Sequence, residues 1–254
     1  KEFILALPRE LTTEQNIAMM REFVAEHVST RGLVADWVYH DAPGNPHAHL
    51  MTTLRPLTEE GFGGKKVPVI GEDGQPVRSK SGQIVYKLWA GDKADFLALR
   101  EAWYAAQNRH LELNGHDIRV DGRSYAEQAI DLERFSHMGV QAKNIQREAE
   151  AEGREARLER LALHEETRRE NARRIERRPE IVLDAIAREK SVFDERDVAK
   201  YLHRYVDDPG QFANLLARVM GSPEAVRIEV EGVDPETGER LPERFATRDM
   251  IRIE

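Results

Sequence analysis

The chain has 254 residues, 33% of them charged and 40% hydrophobic, with 46 acidic against 38 basic side chains for a net charge of −8. The absence of cysteine excludes disulfides, cysteine-ligated zinc and thiol catalysis, and it fits a reducing cytoplasm. No apolar run approaches the ~20 residues that span a bilayer, no signal-peptide pattern opens the chain, and the acidic balance argues against indiscriminate coating of nucleic acid.

The chain opens on Lys1, inside the strand-like run KEFILALP (1–8), which suggests a fragment with further sequence upstream. LTTEQNIAMMREFVAEHVSTRG follows as an amphipathic helix, with Thr12 and Gln15 as a capping box and Gly32 as its stop. LVADWVYH and HAHLMTTLRP are two more strands. Only DAPGNP connects them, too short for a helix, so they pair antiparallel. Residues 58–91 are glycine-rich and read as an inserted arm or hairpin containing the strand QIVYKLW. A second helix begins after Asp92, with Phe96, Leu99, Trp103 and Ala106 on one face, and stops at Gly115. HDIRV then returns as a short strand, and Ser124 with Glu127 caps a short helix. This first region is α+β, an antiparallel sheet with packed helices, and it extends to residue 139.

From residue 140 to 178 acidic and basic residues intersperse, and the only apolar patch is Leu158, Leu161 and Leu163. This predicts a solvated helical connector with Gly153 as its weak point, or a charged linker that only separates. Residues 179–254 form a third unit. Three short helices, two of them near Pro179 and Pro209, precede a strand–turn–strand segment, the order of a winged-helix-like module.

Three of the nine histidines fall between positions 40 and 49, in YHDAPGNPHAH. His47 and His49 lie two apart on one strand and leave the same face, while Ala48 and Leu50 face the core. His40 ends the partner strand and returns beside them across the turn. Three nitrogen donors on one face make a site for a divalent metal with open positions left over. The alternative is three solvated or separately hydrogen-bonded rings. His110, His116, His137, His164 and His203 lack mutual spacing and read as structural.

ALPREL, NPHAHLMTT and RSYAEQAIDLERFSHMG together resemble the MobA/MobL-type conjugative relaxases, and more closely the TraA-type relaxase–helicase fusions of Ti-type plasmid transfer. The resemblance implies site- and strand-specific nicking at a plasmid transfer origin, by a tyrosine that forms a 5′-phosphotyrosine and later reverses the step. It implies a metal on His40, His47 and His49. The imidazoles favour manganese, and magnesium is workable with water and carboxylate oxygens. Its partners would be single-stranded DNA at the origin, relaxosome accessory proteins and a type IV coupling protein, with no membrane insertion. The family's tyrosine would lie upstream of Lys1, so the fragment would hold the metal half of the site without its nucleophile. Tyr39 points away from His40 by strand alternation, and nothing recommends Tyr86, Tyr104, Tyr125, Tyr201 or Tyr205 instead.

Glu2 and Glu10 are candidate acidic helpers, or simply exposed carboxylates. GFGGKK (61–66) fails the phosphate-loop pattern, because Glu59 and Lys66 stand where glycine and Ser/Thr are required. Lys65, Lys66, Arg78 and Lys80 sit on the arm, able to touch DNA phosphates or to remain solvated. No ATP-binding motif occurs, so a helicase would have to follow Glu254. Two other readings stay open: a non-catalytic DNA-binding or assembly module, and a metal-dependent nuclease using activated water.

Overall fold

The computed structural model describes residues 1–135, 139–153, 159–233, 238 and 240–253. His137 and Leu158 lie outside the described residues. The chain forms two compact units, Lys1–Val120 and Asp121–Glu254. No described helix is long and apolar enough to cross a membrane.

In the first unit, β1 (Glu2–Ala6), β2 (Ala35–His40) and β3 (His47–Thr52) form an antiparallel sheet in the order β1-β3-β2. Strand alternation divides it into two faces. Phe3, Leu5, Trp37, Tyr39, Ala48 and Leu50 enter a core shared with Met19, Met20, Phe23 and Trp103. These last come from α1 (Thr13–His27) and α2 (Lys93–Leu113). Phe23 meets the Trp103 ring edge-on at 4.8 Å, and each such side chain contributes ~1.5–3 kcal/mol by leaving water.

Both helix starts match the sequence. Thr12 with Gln15, and Asp92 with Asp95, form reciprocal capping boxes. α1 ends earlier than Gly32. It closes at Val28, and a 3-10 turn, Ser29–Arg31, carries the chain to Gly32 at φ 69°. Across the helix pair, Glu22 accepts from His110 Nε2 at 2.7 Å and also from Arg109. This gives the buried His110 the structural role its isolation suggested.

HDIRV is not a strand. The side-chain amide of Asn108 donates to Val120 O and accepts from Val120 N, so a side chain supplies the hydrogen bonds that a neighbouring strand would have made.

The insertion contains β4 (Leu57–Thr58), β5 (Gly61–Phe62), β6 (Lys66–Pro68) and β7 (Tyr86–Leu88), paired β4–β5 and β6–β7. Beyond β6 it closes on itself. Val69 N donates to Val85 O, Val85 N to Val77 O, and Val77 N to Val69 O, at 2.8–2.9 Å. Its base is fixed by Trp89, whose indole donates to Arg31 O while Arg31 donates to Trp89 O.

The second unit contains α3 (Gly139–Ala151), α4 (Glu159–Arg177), α5 (Glu180–Glu189), α6 (Glu195–Leu202) and α7 (Pro209–Met220). β8 (Ala225–Glu229), β9 (Gly232–Val233), β10 (Arg240–Leu241), β11 (Arg244–Thr247) and α8 (Arg248–Ile253) follow. β8 pairs antiparallel with β11, and β9 with β10. Phe193, between α5 and α6, exchanges both backbone hydrogen bonds with Phe245 of β11. Ile181, Val182, Ile186, Val198, Leu202, Leu215 and Val219 build the core.

α4 carries the expected ion pairs, Glu165 with Arg168 and Arg169 and Glu170 with Arg173 and Arg174. It also buries a stripe, Thr167, Asn171, Ala172 and Ile175. Asn171 both donates to and accepts from the Glu133 backbone. Ser124 and Glu127 make their capping contacts, but around a turn rather than a helix, and Ala129 at φ 59° is the last residue of that turn.

Candidate functional site

The outer face of the three-stranded sheet is a grid of nine side chains set by register. Ala6, His47 and His40 form one row across the strands, Ile4, His49 and Val38 the next, and Glu2, Met51 and Asp36 the third. The turn in DAPGNP permits this arrangement. Asn45 N donates to Ala42 O, and Gly44 takes φ 69°, which a side chain would resist. His40 therefore returns directly opposite His47.

The three imidazoles gather. Ring centroids lie 5.0 Å apart for His40 and His47, 4.8 Å for His40 and His49, and 5.4 Å for His47 and His49. One ligand atom from each lies within 4.8 Å of the others, the one such grouping of His, Asp and Glu among the described residues. A metal at ~2.1 Å from each nitrogen asks for donor separations of roughly 3–3.5 Å, within reach of small ring rotations.

The δ nitrogens of two rings are engaged from behind. His47 Nδ1 lies 2.8 Å from Asn45 O. A carbonyl only accepts, so Nδ1 donates this bond, and Nε2 is the nitrogen left for a metal. His49 Nδ1 faces the Glu2 carboxylate at 3.5 Å. Carbonyl and carboxylate partners of this kind orient metal-binding imidazoles in general. The residues present therefore fit a divalent ion.

Of the other residues singled out in the sequence, Glu2 stands on the grid beside His49. Glu10 lies in the exposed turn before α1 and joins no such group. Lys65, Lys66, Arg78 and Lys80 are exposed on the insertion, and Arg78 donates to Gly82 O at 2.8 Å. The grid holds no tyrosine. Tyr39 is on the inner face, and Tyr201 and Tyr205 are buried in the second unit, where burial pushes both phenols above their ordinary value. Sequence reasoning missed the Asn45 carbonyl, because a backbone group leaves no mark in residue type. It also missed the exposed apolar Ile4, Val38 and Met51 beside the histidines. Their places in the alternation carried that signal.

The MobA/MobL family matches residues 1–148, more than half of the chain. The chain belongs to that family. Over all 254 residues it is 60% identical to a probable conjugal transfer protein TraA of Sinorhizobium fredii and 59% identical to a conjugal transfer protein TraA of Agrobacterium fabrum. It spans 23% of the length of each of those relatives. A solved structure described as the molecular basis of vancomycin resistance transfer in Staphylococcus aureus aligns at 33% identity. It covers 49% of this chain and 57% of that one, with a TM-score of 0.38. Within this MobA/MobL chain, the match covers the histidine grid and both helices behind it.

Proposed function

We propose that this chain carries the metal-binding half of a relaxase, which nicks one DNA strand at a specific site in a plasmid transfer origin during conjugation and later rejoins it. The observation that supports this most is the grid, which brings a ligand nitrogen from each of three imidazoles within 4.8 Å of the others, with His47 Nδ1 bonded to Asn45 O and the Glu2 carboxylate 3.5 Å from His49 Nδ1. Family membership supports this reaction class.

His40, His47 and His49 would hold a divalent ion, manganese or magnesium, which when bound offsets negative charge on the scissile phosphate. Asn45 O would orient the His47 ring through its Nδ1, and the Glu2 carboxylate beside His49 Nδ1 would orient the second ring in the same way. In the reaction a tyrosine oxygen bonds to phosphorus and the bond from phosphorus to the 3′ oxygen breaks. The tyrosine proton leaves, and the departing 3′ oxygen ends as a hydroxyl. We place that tyrosine outside residues 1–254, since none stands on the grid.

The substrate is single-stranded DNA at the origin, with relaxosome accessory proteins and a type IV coupling protein as partners, in the cytoplasm. Lys65, Lys66 and Lys80 are the arm's free-standing contacts for phosphates. Residues 1–139 act as the relaxase core, 140–178 as a connector, and 179–254 as a winged-helix-like unit.

Titrating the metal-stripped chain with MnCl2 in a calorimeter, beside His47→Ala, tests the centre of this. Wild type should take up one ion, and the variant should bind at least ~100-fold more weakly, because a neutral methyl replaces a ligand. Equal binding by both proteins, or none by either, would sink the reading.

A further inference from the structure

The second unit has the element order helix, short strand, helix, helix, ribbon, with Phe193 as the short strand against β11. In such an arrangement α7 and the ribbon would be the parts offered to a DNA duplex. Their charge opposes that use. Residues 179–254 hold 17 acidic against 11 basic side chains, a net of −6. α7 has one basic residue, Arg218.

The ribbon's arginines are already occupied. Arg227 pairs with Glu243 at 2.8 Å, Arg244 with Glu229 at 3.6 Å, and Arg240 with Glu231 at 3.7 Å. Exposed pairs of this kind add little stability. They do cancel the positive potential that phosphate binding requires. Residues 225–247 contain six acidic side chains for these three arginines, so the excess is negative.

The same ribbon exposes apolar side chains. Val230 is 69% exposed and Val233 64%, with Ile228 and Leu241 also exposed. Along 227–231 the chain reads Arg-Ile-Glu-Val-Glu, so apolar and acidic residues alternate. β8 pairs with β11 on one side, and no described strand pairs with its other side. At the foot of the ribbon lies a cavity of about 700 Å³, lined by Phe245 and Met220 below and by Glu195, Glu231, Glu243 and Arg227 around it.

We propose that this ribbon is a docking surface for an extended protein segment in which basic and apolar residues alternate. Such a segment adds to the open edge of β8 through main-chain hydrogen bonds. Its cations meet Glu229 and Glu231, and its apolar side chains cover the exposed Ile228 and Val230. The inference does not depend on the histidine site, and its failure would leave the manganese titration untouched.

The test is fluorescence anisotropy on the full 254-residue chain with three labelled probes: an alternating (Lys-Leu)4 peptide, an alternating (Glu-Leu)4 peptide, and a 20-base-pair DNA duplex. The lysine peptide should bind at least ~10-fold more tightly than the glutamate peptide. Glu231→Gln with Glu243→Gln, and separately Val230→Ser, should each weaken it ~5-fold or more, while circular dichroism stays unchanged. Three results would overturn the proposal: no binding of the lysine peptide, binding that survives both variants, or duplex binding that Arg218→Ala abolishes.

Discussion

On the outer face of the three-stranded sheet, three imidazoles stand together with no arginine or lysine among their cross-strand neighbours, whereas on the β8–β11 ribbon each arginine faces a glutamate. Both surfaces are antiparallel, exposed and interspersed with apolar side chains. The first gathers imidazole nitrogens with no basic side chain opposite them. The second concentrates charge and cancels most of it. The sheet keeps a regular two-residue alternation, whereas the β8–β11 pairing shifts register between Arg244 and Phe245, and in both the partner near each polar group decides what the surface can bind.

Within the first unit, the two faces of β3 differ most. Leu50 is 1% exposed on the inner side, so Leu50→Ala should cost ~2–5 kcal/mol of unfolding free energy, read by urea denaturation. Val38→Thr on the outer face should cost less than ~0.5 kcal/mol in the same assay. A similar cost for both would mean that the outer face is not exposed.

Glu2→Gln keeps a hydrogen-bond acceptor near His49 Nδ1 and removes its charge. Manganese affinity in the calorimeter should fall ~10–100-fold, the usual range when an orienting carboxylate is lost. An unchanged affinity would show that Glu2 does not orient the ring.

On the ribbon, neutralising Glu229, Glu231 and Glu243 together to glutamine frees three arginines. Duplex DNA binding should then appear at low salt and weaken steeply as salt rises, with a log–log slope of about −2 to −3. No gain in binding would mean that these pairs do not mask the arginines.

The smallest expected effect is on pH. Hydrogen bonds from Arg168 hold Glu165 below its ordinary value, and those from Arg123 do the same for Asp121. A depressed carboxylate stabilises the fold fully above its ordinary pKa, and the contribution fades as pH falls through the folded value. The thermal midpoint of the second unit should therefore drop below about pH 4.5. Glu165→Gln should shallow that drop.

How much of this was readable in the sequence depended on range. The capping box at Thr12 acts over three residues and the histidine hairpin over ten, so spacing alone placed them, as it placed Asp92 at a helix start; that Asp95 completes a box there came from the structure. The Glu2–His49 pair depends on β1 and β3 meeting across more than forty residues, a register that local pattern does not encode. The strand expected at HDIRV failed because Asn108 replaces a ladder partner with one side chain. The helix expected after Ser124 failed although its capping residues were correct, because the chain turns at Ala129. α4 looked wholly solvated because its buried stripe uses Thr167, Asn171 and Ala172 beside one isoleucine.

The grid also has a consequence for how such a chain can vary over time. His47 and His49 share β3 with Ala48 and Leu50, so one inserted or deleted residue within that strand would turn the rings inward and the core side chains outward. Catalytic promise and foldability would vanish in a single genetic event. The 57–91 insertion closes on its own backbone and is free of that coupling, so length changes between relatives should accumulate there and stay out of β3.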